Sequence, residues 1–179
     1  LIINFIFLIS PLIILIRIFR KKEDKIRFKE KFCFFSKKKI KKKLIWFHGA
    51  SVGEISSIIP IVLKLEKNNE IDQILVTSST LSSSNIFNQF KFKKTVHQFF
   101  PIDTNILSKN FLDYWKPSLA VFIDSEIWPN MILNLKEKSI PIILLNARIT
   151  EKSFQRWKIL KRFSKKIFQC IDKSLVSNQ

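Results

Sequence analysis

The 179-residue sequence is poor in glycine, cysteine and acidic side chains. Two glycines exclude a collagen-like repeat, which needs glycine at every third position. Two cysteines are too few for a disulfide scaffold or a four-ligand zinc ribbon, so Cys33 and Cys170 are expected to be free thiols. Hydrophobic residues make up 46% of the chain, which excludes a wholly disordered basic tail and suffices for one ordinary folded domain.

The shortage of acidic residues leaves 14 of them against 32 basic ones, a net charge of +18. Residues 17–43 carry a net charge of +11 and residues 151–173 carry +6, whereas residues 44–150 are close to neutral at +1. A nucleic-acid binder spreads positive charge over its reading surface and favours arginine, but lysine outnumbers arginine here 26 to 6. We therefore expect no nucleic-acid partner, and we expect the basic flanks to meet an anionic membrane surface.

The first 16 residues contain no charged side chain. Four basic residues follow directly, Arg17, Arg20, Lys21 and Lys22. A spanning helix needs about 20 apolar residues, and a basic flank marks its cytoplasmic side. The pattern predicts an uncleaved membrane-anchor helix over residues 1–19 and a basic connector over residues 20–43. One alternative is a secretory signal peptide, which is disfavoured because no small-residue cleavage site follows. The other is a buried core helix, which is disfavoured because the basic residues behind it would need partners.

Short apolar runs then alternate with segments of helical spacing. The runs cover residues 44–48, 74–77, 96–100, 119–124 and 142–146. Near-continuous apolar strands that alternate with helices indicate a parallel sheet covered on both faces. The sequence therefore predicts an α/β fold with a parallel sheet over residues 44–179.

A basic amphipathic segment covers residues 151–171. Its aromatic and aliphatic residues recur at intervals of three and four, with lysine and arginine on the other side. The pattern predicts one amphipathic helix, and two alternatives for it remain open. It either packs its apolar stripe on the sheet or lies on a membrane surface.

Polar residues follow four of the five predicted strands. In an open α/β sheet, ligands bind beyond the carboxyl ends of the strands. The first strand runs into His-Gly-Ala-Ser-Val-Gly-Glu at residues 48–54, which holds both glycines of the chain. That placement predicts a close backbone approach or unusual dihedral angles. Glu54 lies in the first turn of the next helix, where an acid is also favoured by the helix dipole.

The other three polar segments have simpler compositions. Thr77 and Ser78 belong to a hydroxyl-rich turn that could bond sugar hydroxyls or phosphates, or cap a helix. Residues 124–130 bring two carboxylates and Trp128, which either packs in the core or lines a cleft. Arg148 follows the fifth strand and suits a phosphate or carboxylate. Together the four segments indicate one cleft, and neither histidine has metal-ligand spacing, so no metal is expected.

Three segments resemble the amino-terminal half of bacterial 3-deoxy-D-manno-octulosonic acid (Kdo) transferases. They are residues 48–54, residues 124–130 (Asp-Ser-Glu-Ile-Trp-Pro-Asn) and residues 146–148 (Asn-Ala-Arg), followed by Glu151. The apolar start and the basic connector match the layout of that family, so the resemblance covers essentially the whole chain. The sequence departs from the family pattern at Leu81 and Ser83, where proline and glycine are usual, and at Asp124, where glutamate is common.

The resemblance implies a glycosyltransferase-B architecture, in which two Rossmann-like halves face each other across a cleft. Residues 44–179 would be the amino-terminal, acceptor-binding half, the donor-binding domain would be absent, and the fragment alone would be inactive. The family transfers Kdo with inversion from CMP-Kdo to the tetraacylated lipid A precursor, lipid IVA, in lipopolysaccharide biosynthesis. It uses no metal or other cofactor in the chemical step and works at the cytoplasmic face of the bacterial inner membrane, here through a single amino-terminal anchor.

The resemblance also implies roles for individual residues. Glu54 would be the general base for the acceptor hydroxyl, a role that suits a carboxylate whose pKa is raised by partial desolvation. Gly53 would let the acceptor approach, Ser51 could bond it, and the residues at 126, 130 and 148 would shape the acceptor side. The phosphate contact of Arg148 is our own expectation, because an arginine suits that group. The expected acceptor-binding residues are Ser51, Gly53, Thr77, Ser78, Glu126, Asn130 and Arg148.

Two other functions remain open at this point. A membrane-anchored glycosyltransferase of the same architecture could act on another lipid-linked sugar. A membrane-bound scaffold module without chemistry would tolerate the replacement of Glu54.

Overall fold

The computed structural model describes residues 2–40, 43–124 and 126–176, without the side chains of residues 2–9 and 152. The helices are α1 Ile2–Phe19, a 3₁₀ helix Arg27–Phe32, α2 Val52–Glu66, α3 Leu81–Phe87, α4 Asn105–Trp115, α5 Pro129–Glu137, α6 Glu151–Ile159 and α7 Lys161–Phe168. The strands are β1 Leu44–His48, β2 Gln73–Ser78, β3 Thr95–Phe99, β4 Leu119–Ile123, β5 Ile142–Ala147 and β6 Lys173–Val176.

The six strands form one parallel sheet in the order β3-β2-β1-β4-β5-β6. This is the doubly wound, Rossmann-like order, so the predicted α/β parallel sheet is confirmed. The order reverses between β1 and β4, where His48 pairs in register with Phe122. Because ligands in such sheets bind at the reversal, we expect a binding site at the loops that follow β1 and β4.

The strands are apolar on both faces because helices cover both faces. On one face Trp46 and Phe122 pack with Phe111 of α4, and on the other Val76 packs with Ile58 of α2. Full burial of side chains of this size stabilises the fold by about 1.5–3 kcal/mol each. The core thus lies in two layers on either side of the sheet.

The predicted connector over residues 20–43 is in part a folded element of the domain. Glu30 of its 3₁₀ helix is buried and accepts hydrogen bonds from Arg27 at 2.8 Å and from the Phe99 amide of β3 at 2.8 Å. Arg27 also donates to the His97 carbonyl oxygen at 2.9 Å. A carboxylate is buried only when it is paired, so these bonds hold the 3₁₀ helix against β3 and cover that edge of the sheet.

The predicted membrane anchor over residues 1–19 finds no support in the structure. Residues Ile2–Phe19 form α1, which contains Pro11 and has Arg17 in its last turn. Arg17 is paired with Glu23 at 2.7 Å, and Glu23 also accepts from Lys31 at 2.7 Å. Among the described residues, no helix combines the length and the apolar character that crossing a bilayer requires.

The prediction of a single amphipathic helix over residues 151–171 is wrong, because α6 and α7 are separate helices. The helix is interrupted at Leu160, which has φ −98° and ψ 42°. The Ser164 hydroxyl lies 2.9 Å from the carbonyl oxygen of Trp157 and 3.0 Å from that of Leu160. A side-chain hydroxyl that bonds the preceding turn competes with the backbone and bends a helix, which accounts for the break.

No bounds were predicted for α3 and α4, although a helix cap was one of the alternatives for the hydroxyl-rich turn before α3. Both helices begin after a threonine whose side chain accepts a hydrogen bond from an amide of the first turn: Thr80 from Ser83 and Thr104 from Leu107. Threonine is a favoured residue at that position, so these threonines were the available signal.

Two buried glutamines allow a matched stability test. Neither amide atom of Gln98 has a hydrogen-bond partner among the described residues, although the side chain is fully buried. Because an unpaired buried polar group costs about 1–3 kcal/mol, we expect Gln98→Met to raise the free energy of unfolding by about 1–2 kcal/mol in urea denaturation.

Gln73 serves as the control for this substitution. It is equally buried, but its side chain donates to the Lys38 carbonyl oxygen at 3.0 Å and accepts from the Ile40 amide at 2.8 Å. We expect Gln73→Met to lower the free energy of unfolding by about 1–3 kcal/mol. A loss of stability for both variants would show that Gln98 is well bonded after all.

Candidate functional site

The loop after β1 fixes Glu54 at the carboxyl end of the sheet. Ser51 caps α2, because its hydroxyl accepts from the Glu54 amide at 3.3 Å. The Glu54 carboxylate reaches back and accepts from the Ser51 hydroxyl at 2.6 Å and from the Ala50 amide at 2.8 Å. This reciprocal arrangement is a variant of the capping box, in which Glu54 bonds the amide of the residue before the cap. It holds the half-buried carboxylate in one orientation, and each carboxylate oxygen keeps a second lone pair for a ligand.

The two glycines of the loop differ in what the fold requires of them. Neither has a positive φ, so of the two predicted alternatives the structure supports the close approach and not the unusual dihedral angles. A Cβ atom on Gly49 would lie 3.0 Å from the Glu54 Cβ atom, so the protein itself needs glycine there. A Cβ atom on Gly53 would meet nothing closer than the Ser51 hydroxyl at 4.0 Å, so Gly53 borders open space beside Glu54.

The loop after β4 joins the end of β1 through Trp128. Its indole N–H donates to Glu126 at 2.8 Å and lies 3.0 Å from Nε2 of His48. We assign the His48 proton to Nδ1, which faces the Thr77 carbonyl oxygen at 3.2 Å, because Nε2 accepts from the indole. His48 is buried and stacks on Phe100 with ring centroids 3.9 Å apart, whereas Glu126 keeps 19% of its side chain exposed.

A cleft of about 470 Å³ opens beside the half-buried Trp128. Its lining includes Lys31, Phe100, Ile102, Asp103, Ile127 and Trp128. Trp128 is therefore both packed against the core and a wall of the cleft. Lys31 donates to Glu23 at 2.7 Å and to the Ser79 carbonyl oxygen at 3.1 Å, and burial lowers its pKa.

Asn130 lies near this cleft, but the nitrogen of its side chain is already hydrogen-bonded within the protein. Its amide nitrogen donates to the Asp103 carbonyl oxygen at 2.7 Å, and its backbone amide donates to the Asp103 carboxylate at 3.0 Å. Burial raises the pKa of Asp103, although the hydrogen bonds from Asn130 and Met131 oppose that shift. Sequence reasoning did not single out Asp103 or Lys31, since a lone acid after a strand and one lysine in a basic run carry no distinctive signal.

Thr77 and Ser78, predicted to bind the acceptor, are fully buried and bonded within the protein. The Thr77 hydroxyl accepts from the Trp46 indole at 2.9 Å, and the Ser78 hydroxyl lies 2.9 Å from Nε2 of His97. Burial, and to a lesser degree Arg27, lowers the pKa of His97 to about 3, so this partner is neutral at pH 7. Both hydroxyls lie within β2, where each face of the sheet is covered, and not on the exposed edge.

Arg148 lies apart from the cleft, beyond the end of β5. Its side chain is 61% exposed and approaches the Asp124 carboxylate at 3.7 Å. Asp124 and Asn146 both have φ near +57°, and the Asn146 amide donates to the Asp124 carboxylate. Arg148 contributes instead to a groove of about 310 Å³ along β5 and β6. Ser125, between these residues and Glu126, is outside the described residues.

The chemistry available at this edge is that of carboxylates and hydroxyls. Glu54 and Glu126 follow the two strands at the reversal point, with the Ser51 hydroxyl beside Glu54. In the part of the chain that the structure covers, no group of three or more His, Cys, Asp or Glu side chains is placed to hold a metal ion. The arrangement can accept a proton from a bound hydroxyl group.

The fold is shared with a solved UDP-N-acetylglucosamine 2-epimerase. The two align with a TM-score of 0.55 over 78% of this chain and 40% of the epimerase, at 16% sequence identity. This likeness defines the class of protein, a Rossmann-like α/β domain with its crevice at the strand reversal.

The family is established by sequence. Residues 26–179 match the family model described as 3-deoxy-D-manno-octulosonic-acid transferase (kdotransferase). A 3-deoxy-D-manno-octulosonic acid transferase of Rickettsia bellii is 39% identical over 176 residues, which cover 97% of this chain and 42% of that protein. A protein of the same name from Rickettsia felis is 39% identical over 138 residues, which cover 77% of this chain and 30% of that protein. The chain belongs to the Kdo transferase family, and it spans less than half the length of these relatives.

The two glycines yield opposite expectations for stability. We expect Gly49→Ala to lower the free energy of unfolding by about 1–3 kcal/mol, because the new methyl group would crowd the Glu54 Cβ atom. We expect Gly53→Ala to raise it by about 0.4–1 kcal/mol, because the site is open and alanine restricts the unfolded chain. Urea denaturation of the two variants measures both changes. Equal effects at the two positions would contradict this distinction.

Proposed function

We propose that the full-length protein transfers Kdo from CMP-Kdo to the lipid A precursor, lipid IVA, in lipopolysaccharide biosynthesis. In this proposal residues 44–179 form the acceptor-binding domain of a glycosyltransferase-B enzyme, and a further domain of the longer protein binds the donor. Membership of the Kdo transferase family supports the reaction type. The observation that carries the proposal is the Glu54 carboxylate, held at the strand reversal beside the open side of Gly53.

The proposed chemistry is one inverting displacement. An acceptor hydroxyl approaches across Gly53 and loses its proton to the Glu54 carboxylate as its oxygen attacks the anomeric carbon of Kdo. The bond from that carbon to the phosphate oxygen of CMP breaks, and CMP leaves with the electron pair. The bonds from Ser51 and Ala50 orient the carboxylate before the acceptor arrives, which lowers the entropic cost of proton transfer.

The remaining predicted residues divide by their surroundings. Ser51 is exposed, and its hydroxyl oxygen keeps one lone pair for the acceptor while it donates to Glu54. Glu126 places a second carboxylate at the same edge. The apolar cleft beside Trp128 suits a hydrocarbon part of the acceptor. Arg148, which is exposed beyond the end of β5, suits a phosphate. We do not include Thr77 and Ser78, because both hydroxyls are buried and bonded to other side chains.

We further propose that α6 and α7 contact an anionic membrane surface, at the cytoplasmic face of the bacterial inner membrane. Ile159 and Leu160 are exposed at the junction of these helices, with fractional exposures of 82% and 56%. The exposed Lys161 and Arg162 follow directly, and Lys158 precedes them. Apolar side chains bordered by basic ones suit the interface of a bilayer that carries anionic lipids.

The reaction is tested with Glu54→Gln in the full-length protein. We expect the native enzyme to form a Kdo-lipid product from CMP-Kdo and lipid IVA, and we expect the variant to lose about two to four orders of magnitude in kcat, because the amide cannot accept the proton. The KM for lipid IVA should stay within about threefold, since the variant keeps the shape of the side chain. Product formation is measured by mass spectrometry over time.

Glu137→Gln is the control, because Glu137 lies on the surface of α5 and pairs only with Lys109 at 3.2 Å among the ion pairs described. It should retain native activity. An active native enzyme with an almost unharmed Glu54→Gln variant would keep the reaction and reject Glu54 as base. Transfer from CMP-Kdo to a different lipid-linked sugar alone would reject lipid IVA, and inactivity with every acceptor would favour the scaffold function.

The membrane contact is tested by removing two charges from α7. Lys161→Gln with Arg162→Gln should weaken binding of the full-length protein to vesicles that contain anionic lipid by about 30-fold, since each basic residue contributes about 1 kcal/mol. Lys91→Gln with Lys93→Gln, two exposed lysines before β3, removes the same charge and should leave binding unchanged. Equal losses for the two pairs in a sedimentation assay would indicate a general charge effect and contradict a contact through α7.

A further inference from the structure

The first turn of α5 has no cap of its own. Trp128 occupies the N-cap position and makes no side-chain capping bond, and Pro129 has no N–H group. The next two amides of the turn still require acceptors, as at the start of any helix. The Asp103 carboxylate, from the loop after β3, accepts from the Asn130 amide at 3.0 Å and from the Met131 amide at 2.8 Å. Asp103 therefore caps a helix to which it does not belong.

Further bonds tie the two loops together at the same point. The Asn130 side chain donates to the Asp103 carbonyl oxygen at 2.7 Å, and the Ser108 hydroxyl lies 3.3 Å from the Asp103 carboxylate. These loops form two walls of the cleft, one with Phe100 and the other with Trp128. The Asp103–Asn130 contact thus sets the spacing of the walls.

This cap from another loop has a consequence for Trp128. A residue at an N-cap position ordinarily uses its own side chain to bond the first turn. Since Asp103 takes over that task, a tryptophan can stand there and direct its indole N–H to Glu126 at 2.8 Å and towards His48 at 3.0 Å. The position of the indole depends on the start of α5, and the start of α5 depends on Asp103.

We propose that Asp103 is a positioning residue, which caps α5 from the loop after β3 and thereby fixes Trp128 and Glu126 at the acceptor side of the site. Asn130 supports this cap, because its side-chain nitrogen donates to the Asp103 carbonyl oxygen, and we call the Asp103–Asn130 contact the clamp. The part of the proposal that concerns activity rests on the proposed function, whereas the part that concerns the position of Trp128 does not.

The test uses Asp103→Asn in the full-length protein, a change of nearly equal shape that replaces one acceptor oxygen by a donor. We expect the indole N–H signal of Trp128, assigned through Trp128→Phe, to shift in ¹H–¹⁵N spectra. The indole signals of Trp46, Trp115 and Trp157 should stay in place. The KM for lipid IVA should rise about tenfold, and the KM for CMP-Kdo should remain within about twofold, because only the acceptor side loses its shape.

Ser108→Ala is the matched control, because it removes a bond to the same carboxylate and leaves both amides of α5 capped. It should leave the Trp128 signal and both KM values unchanged. Asn130→Ala is the second variant, should Asp103→Asn fail to fold. It removes only the side-chain part of the clamp, and we expect a smaller shift of the Trp128 signal and a roughly threefold rise in the KM for lipid IVA.

An unshifted Trp128 signal and an unchanged KM for lipid IVA in a folded Asp103→Asn protein would overturn the proposal while the proposed function stands. If Asp103→Asn does not fold, the same result for Asn130→Ala would overturn it. Equal changes in Ser108→Ala and Asp103→Asn would also overturn it, since the effect would then reflect general destabilisation. If the native protein transfers no Kdo, the proposed function fails, and the Trp128 signal alone still decides whether Asp103 positions that side chain.

Discussion

The reversal of strand order between β1 and β4 is the constraint on which the candidate site depends. Because these strands are parallel neighbours, with His48 opposite Phe122, the segments that follow them leave the sheet at the same edge. Two segments more than 70 residues apart in the sequence are thereby brought into contact. The indole N–H of Trp128 lies within hydrogen-bond distance of Nε2 of His48. The contact between Trp128 and His48 follows from this adjacency, whereas the hydrogen bonds that orient Glu54 are local to residues 50–54.

Buried charges explain why the amino-terminal region belongs to the domain. Glu23 and Glu30 are almost completely buried, and both are paired with basic residues of the same region. Removing one partner of such a pair leaves an uncompensated buried charge, which is strongly destabilising. The basic composition of residues 20–43 therefore serves internal pairing in part, and Lys31 reaches the cleft because of it.

Internal hydrogen bonding shows which of the polar side chains near the site also serve the fold. Thr77, Ser78 and Asn130 are bonded within the protein, so their polar character serves the fold. Ser51, Gly53 and Glu54 lie at or near the surface, where the protein does not fill the space beside them. Composition alone could not make this distinction, because a threonine that caps or bonds internally looks the same in the sequence as one that binds a sugar.

The sequence by itself determined the parallel α/β class, five of the six strands to within about two residues, and the family, because apolar runs and contiguous motifs are local properties of the chain. It could not show that Asp103 caps α5, that Lys31 lines the cleft, or that α6 and α7 are separate helices. Those features rest on hydrogen bonds between residues distant in the chain, or on one hydroxyl, Ser164, that competes with a helix backbone. Only the tertiary structure decides them, because it sets which polar groups are buried and which partners lie within bonding distance.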